Sequence, residues 1–435
     1  MTIASPSIDR RIQHREPKPE NNARVLTRVS RITPETLEQR WRLLTVPPES
    51  RKALADATTL AQIERYQHNV ENVIGTVKVP VGLAGPLRVH GLFAQSDYYV
   101  PLATTEAALV ASYSRGAQLI SEAGGCTAML LNEGISRAPG FAFNNLREAG
   151  RFASWAWNQF GEFRCAAEGT TRHGKLIDMR VTVEGNHVYL TFEFTTGDAA
   201  GQNMVTIATE AICGYIIAHT PVQPRHFFVE ANLSGDKRSS TQSSVTVRGK
   251  KVTAEVILPA HLVVKRLRTT PQVMVNCWRM GAIGGVLSGT IGIQGQYANG
   301  LAAFYLACGQ DVACVAESAV GITRFELTSH GELYATVTLP NLIVGSVGGG
   351  TGLPSQQACL EILGLAGSGK AAALAEVCAS LCLAGELSLI GSLSAGDFAR
   401  AHQRLARSKT PQRNGKTIAA ENGSLLHQCD MEITE

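Results

Sequence analysis

The chain has 435 residues, 44% of them hydrophobic and 17% charged, with a formal net charge of +4. That length exceeds one small core and points to two or three domains, while so mild a charge gives no case for nucleic-acid binding and would not repel a phosphate-rich cofactor. Forty-two glycines against seventeen prolines point to tight turns and closely packed backbone rather than a disordered polymer.

Ten cysteines occur without a CxxC pair. Cys378 and Cys382, one helical turn apart among apolar neighbours, read as reduced core thiols, and no metal site is expected. The N-terminal stretch MTIASPSIDRRIQHREPKPENNAR lacks the apolar core of a secretory signal. No uncharged apolar run reaches the ~18 residues of a membrane span. The expected location is cytoplasmic.

In chain order, residues 1–31 read as a mobile polar arm. Thr33-Pro34-Glu35 predicts a helix start capped by Thr33, and Thr59 with Gln62 predicts a second helix over 59–67. Glycine-rich apolar sequence follows from Glu71 to Arg137. Lys175–Val183 and His187–Thr195 alternate around Glu184-Gly185-Asn186 as a β-hairpin. Asp198–His219 has helical spacing and His226–Asn232 reads as a strand. Ser244–Val247 and Val252–Leu258 read as another hairpin around Arg248-Gly249-Lys250. After Pro259, Gly281, Gly285 and Gly289 recur every four residues, which predicts a buried central helix with close packing offsetting the glycines. A hairpin over Thr323–Leu339 and a helix over Lys370–Leu393 complete the pattern.

Two phosphate-binding patterns need weighing. Gly364–Lys370 matches most of a P-loop, but Ala371 stands where a magnesium-binding Ser or Thr is required, and Gln356–Leu363 before it reads as a helix rather than a strand. No GxGxxG fingerprint follows a strand, so no ordinary Rossmann domain is expected. The loop GSVGGGTG (Gly345–Gly352) lets the backbone approach something closely, or is a structural turn.

Longer strings are more specific. Glu71–Leu87 (ENVIGTVKVPVGLAGPL), Pro101–Ser112 (PLATTEAALVAS), Thr196–Met204 (TGDAAGQNM), Ala307–Asp311 (ACGQD), Val347–Leu360 (VGGGTGLPSQQACL) and Ala384–Leu389 (AGELSL) followed by His402 together resemble the 3-hydroxy-3-methylglutaryl-CoA (HMG-CoA) reductases. They occur in the family's order, and PLATTE is closer to its eukaryotic and archaeal branch.

The resemblance implies an α+β fold: a large, mostly helical domain with a long central helix, and an inserted ferredoxin-like small domain for the dinucleotide. The implied boundaries are 32–69 for a small helical subdomain, 70–138 with 241–400 for the large CoA-binding domain, and 139–229 for the insertion. Residues 230–240 would be a catalytic connecting loop and 401–435 a tail carrying the catalytic histidine. The implied reaction is four-electron reduction of HMG-CoA to mevalonate and CoA by two NADPH, with NADH the less favoured cofactor. It would run in an obligate homodimer with a shared site, or a tetramer, without membrane or nucleic acid.

The implied catalytic residues are Glu106, Lys237, Asp311 and His402. Lysine would stabilise the carbonyl oxygen as hydride arrives, a glutamate in apolar surroundings would stay protonated as donor, aspartate would couple the two, and histidine would protonate the leaving thiolate. Each also has an ordinary reading as a solvated or capping side chain. For the cofactor, Thr171, Arg172, Asp198, Gly201, Gln202 and Asn203 match, although Gln202 stands where methionine is common. The Arg172 guanidinium suits the extra phosphate of NADPH. For the acyl group, Arg137, Asp236, Arg238, Arg279 and Asn299 match.

Departures from the family are specific. Arg238 and Arg279 replace lysines, Ser239 a proline, and Gln296 or Tyr297 a histidine. Glu230 aligns with a substrate-contacting serine, where a carboxylate facing the substrate's own would repel it. Two alternatives therefore stay open: a thioester reductase with altered acyl preference, or a catalytically weak CoA-ester-binding homologue.

Overall fold

The computed structural model describes residues 31–398; the N-terminal arm and His402 fall outside the described residues. Ten strands among them form one sheet: β1 (Val81–Gly91), β2 (Gln95–Ala103), β3 (Cys126–Arg137), β4 (Gly140–Ala142), β5 (Lys175–Glu184), β6 (His187–Thr195), β7 (His226–Phe228), β8 (Gly249–Leu258), β9 (Ile322–Leu327) and β10 (Leu333–Leu342). The path runs β7-β4-β6-β3-β8-β10-β9, with β5 beside β6 and the β1–β2 hairpin attached to β3. Strands β1 and β3 run parallel, and the other paired strands run antiparallel. The fold is thus mixed helix and sheet, mostly antiparallel.

The helix at the centre is Ala371–Ser394. It is apolar on every side, which only a helix enclosed by protein tolerates in water. Among the described residues it alone is long and apolar enough to cross a membrane, and 94% of its most apolar window is buried in the fold. Two acids lie inside it. Glu376 accepts hydrogen bonds from the N–H groups of Leu92, Phe93, Ala94 and Leu130. Glu386 accepts from the N–H groups of Gly295 and Gln296 and from the Thr323 hydroxyl. Each carboxylate thereby satisfies backbone donors that the fold would otherwise bury unpaired.

Helix Leu109–Glu122 packs on it through Leu109, Tyr113, Gly116, Ala117 and Ile120, one helical stripe. A Cβ at Gly116 would collide with the Ala384 carbonyl, so only glycine lets the two backbones approach this closely. Strand β3 carries a bulge: Leu130 pairs with Val252 and Asn132 with Lys251, leaving Leu131 unpaired. Burial switches phase there, from Cys126 and Ala128 before it to Ile135 and Arg137 after it, as one extra residue requires.

Several expectations hold. Thr33 caps helix Pro34–Trp41 in a capping box with Thr36, and the hairpins β5–β6 and β9–β10 form as read. Others are corrected. The helix read over 59–67 is instead Ala57–Ala61, capped by Asp56 rather than Thr59 and preceded by an unread helix, Pro48–Leu54, while Ile63–Tyr66 is a separate 3-10 turn. No hairpin spans Arg248–Lys250, because β8 pairs with distant β3 and β10 and Thr241–Ser244 is a 3-10 turn. The helix read over 198–219 begins only at Gln202, and β7 is three residues long. The glycine-spaced helix, Pro271–Ser288, is not the buried central one: Met280, Val286 and Leu287 on it are 77%, 73% and 83% exposed.

The small N-terminal segment grips the Gly345–Gly352 loop. Arg65 donates to the Gly352 carbonyl at 2.9 Å and Asn69 to the Gly349 carbonyl at 2.9 Å.

Candidate active site

Lys237 lies on the loop between β7 and β8. Its ammonium pairs with Asp311 Oδ2 at 2.7 Å. That hydrogen bond raises the lysine's proton affinity, against a smaller opposing effect of burial. Asp311 also caps the following turn, accepting from Ala313 N–H at 3.0 Å, so its helix-end reading is met.

Beneath the lysine runs a chain of buried charges. Arg137 Nη1 donates to Asp236 Oδ2 at 2.9 Å and to Glu230 Oε2 at 3.2 Å. Arg248 Nη2 donates to Asp236 Oδ1 at 2.8 Å and its Nη1 to Glu317 Oε2 at 2.5 Å. Arg137, Arg248 and Glu317 are buried. Burial works to raise the Asp236 carboxyl, but Arg248 and Arg137 outweigh it and hold it below its ordinary range; burial pushes Glu317 up.

Glu230 is partly buried and bonded within the chain. Its Oε2 accepts from Arg137 and from the Ser234 hydroxyl at 2.9 Å, and its Oε1 from Asn232 N–H at 2.7 Å. Arg238 is exposed and donates to Asn232 Oδ1 at 3.3 Å.

Asp311 lines a cleft of about 450 Å³ together with Gly201, Gln202, Asn203 and the loop from Gly345 through Thr351. Gly201 has φ 80°, a left-handed conformation natural to glycine, and a Cβ there would also strike the Thr196 side chain. Gln310, buried, fixes the loop by accepting from Gly345 N–H at 2.8 Å and donating to its carbonyl at 3.0 Å. Gln202 spends its side chain on Cys314 Sγ at 2.8 Å, and burial pushes that thiol up to about 12. Asp198 is likewise engaged, accepting from Gly369 N–H at 2.7 Å and Ala371 N–H at 3.1 Å. The end that resembles a P-loop holds this chain's own carboxylate. Thr171 accepts from His173 and Gly174 N–H, both at 3.2 Å, shaping the turn on which Arg172 stands exposed.

Glu106 and Asn299 lie in a different cleft, about 360 Å³, with Arg115, Gln296 and Phe398. Glu106 is exposed, so this chain alone does not supply the apolar enclosure expected from its neighbours. Arg279 is exposed on helix Pro271–Ser288. The expected set therefore falls into two groups: Lys237, Asp311, Asp236, Arg137 and the cofactor motif in one, Glu106 and Asn299 in the other. Sequence reasoning missed Arg248, Glu317, Gln310 and Arg115; the available signal was a charged or amide side chain set in apolar or glycine-rich sequence.

A lysine held by an aspartate at a glycine-walled cleft is equipment for stabilising oxygen that gains negative charge. The family model for hydroxymethylglutaryl-coenzyme A reductase matches residues 36–407. The 3-hydroxy-3-methylglutaryl-coenzyme A reductase of Pyrococcus horikoshii is 43% identical over 352 residues, covering 79% of this chain and 85% of that protein. The enzyme of that name from Aeropyrum pernix is 43% identical over 358 residues, covering 81% and 85%. Among solved structures, the class II reductase from Streptococcus pneumoniae bound to NADPH in open conformations superposes with a TM-score of 0.61 at 21% identity, covering 82% of this chain and 96% of that one. The chain belongs to the hydroxymethylglutaryl-coenzyme A reductase family.

Proposed function

We propose that this protein reduces HMG-CoA to mevalonate and free CoA, consuming two NADPH and two protons, as a step of the mevalonate pathway. The observation that carries the reading is the Lys237–Asp311 pair at 2.7 Å on the edge of the glycine-walled cleft. The cleft suits a dinucleotide: its wall at Gly201 and Gly345–Gly352 is backbone without bulky side chains, and Asn203 and Arg172 are exposed. When bound there, NADPH supplies the hydrides. Asn203 and the Gly201 backbone would hold it, Arg172 would meet its extra phosphate, and Asp198 would shape the loop rather than touch the ligand.

Lys237 stabilises the thioester oxygen in the first reduction and the aldehyde oxygen in the second. Asp311 orients the ammonium and keeps it charged. Glu106 gives the proton that converts alkoxide to alcohol. His402 protonates the departing CoA thiolate, which at a pKa of ~8.5 is held mostly as the thiol near neutral pH, so that it does not add back to the aldehyde. Arg238 and Arg279 take the substrate's free carboxylate, with Asn299 beside them, while Arg137 and Asp236 hold the loop.

The two groups of residues meet, in this reading, across a homodimer whose contact includes the apolar face of Pro271–Ser288. Residues 139–229 form the inserted cofactor unit, 70–138 and 241–400 the substrate unit, and 230–240 the loop between them. The nine cysteines among the described residues are free, which suits a reducing cytoplasm.

The test is nicotinamide absorbance with HMG-CoA, comparing NADPH with NADH. Two cofactors oxidised per CoA released support the reading; no oxidation by folded dimers sinks it. For the shared site, inactive Glu106→Ala and Lys237→Ala proteins are mixed and re-equilibrated. Half the dimers would be hybrids with one whole site, restoring about a quarter of native activity; no recovery in demonstrated hybrids would place each site within one subunit.

A further inference from the structure

We propose that Arg248 and Glu317, both buried while Lys237 is exposed, are positioning residues for Lys237: Glu317 fixes the lysine's backbone and Arg248 locks Glu317 to Asp236. The proposal rests on reading Lys237 as the catalytic cation. Lys237 has φ 54°, a conformation that persists in a side-chain-bearing residue only when surroundings impose it. Its N–H donates to Glu317 Oε1 at 3.1 Å, and Glu317 is 0% exposed. The other Glu317 oxygen takes Arg248 Nη1, and Arg248 reaches on to Asp236, the residue before the lysine. Ser239 completes the grip by donating from Oγ to the Ala316 carbonyl.

These ties converge on one short segment. Asp311, which holds the ammonium, opens the turn that leads into helix Val315–Ser318, and that helix carries Glu317. The lysine's backbone and its charged end are thus referred to the same eight residues from 311 to 318, so the ammonium is set relative to its aspartate from both directions. Buried ion pairs contribute little to stability but define geometry sharply, which is what a cation aimed at a developing charge requires.

Amide exchange in the native protein is the first test. The Lys237 N–H should exchange as slowly as core amides although its side chain is exposed; exchange at the rate of an open loop overturns the proposal, whether or not the protein is active. Glu317→Gln and Arg248→Lys then separate positioning from folding. Both should speed exchange across 235–239 and lower kcat about 100-fold, with NADPH affinity, read by nicotinamide fluorescence, changed less than about threefold. Native kcat in folded variants, or NADPH affinity lost in step with kcat, overturns it. Should a variant not fold, the native exchange result decides. A protected Lys237 amide in a native protein that never oxidises NADPH would support the positioning geometry and sink the functional reading instead.

Discussion

Asp198 shows how a residue's role depends on what its atoms already touch. The string TGDAAGQNM marked it for the cofactor, yet both its oxygens are taken by Gly369 and Ala371 N–H at the start of the central helix. Removing such a cap costs about 1–2 kcal/mol, so Asp198→Ala should lower stability by that amount in thermal unfolding; an unchanged midpoint would return the carboxylate to the ligand. Glu386 gives a second test. Burial raises its carboxyl above the ordinary 4.5, so above that pH the folded chain keeps a proton that the unfolded chain has lost. Stability then falls as pH rises from about 4.5 through the folded-state value. Glu386→Gln, neutral throughout, should lack that decline, and identical pH slopes of the melting midpoint would refute it. At this scale Lys237 and Asp311 were legible from short strings. Arg248 and Glu317 were not, because their partners lie 69 positions apart and no local pattern reports that.

Among elements, hairpins and caps were read correctly where the pattern is local: β5–β6 announces itself by alternation around Gly185, and Thr33 by its place before a proline. The hairpin wrongly read at Arg248–Lys250 failed because β8 takes partners far away in sequence. The glycine-spaced helix Pro271–Ser288 was read as buried for a related reason, although Met280, Val286 and Leu287 on it are exposed. Hydrophobic spacing says that a face will be covered, not whether this chain covers it. The close contact belongs instead to Gly116 against Ala384. Forcing a methyl into that contact should cost at least the 1–3 kcal/mol typical of overpacking, whereas Gly281→Ala meets nothing within 4 Å in this chain. Urea unfolding of Gly116→Ala within about 0.5 kcal/mol of the native protein would show that the helices can move apart.

At the scale of the molecule, the order of motifs made the family legible, and the resemblance implied a shared site without saying which residues would be parted within one chain. Glu106 and Asn299 share one cleft, and Asp311, paired with Lys237, lines another. Met280, Ile283, Val286 and Leu287 are exposed together on one helix, and contiguous apolar surface of this kind is where partners bind. If the proposed dimer contact runs through this face, Leu287→Asp should yield monomers in sedimentation and abolish reduction. Dimers of native activity would move the contact elsewhere.

The unpaired Leu131 has a consequence out of proportion to its size. Side chains along a strand alternate faces strictly, so the count of residues between Ala128 and Arg137 decides whether that guanidinium meets Asp236 or water. The bulge shifts that count by one, and Glu376 takes up the Leu130 N–H beside it. Parity, rather than any chemical property of Leu131, is what this position contributes: any side chain may stand there, but its deletion would turn the end of β3 over and leave Asp236 facing the wrong side of the strand.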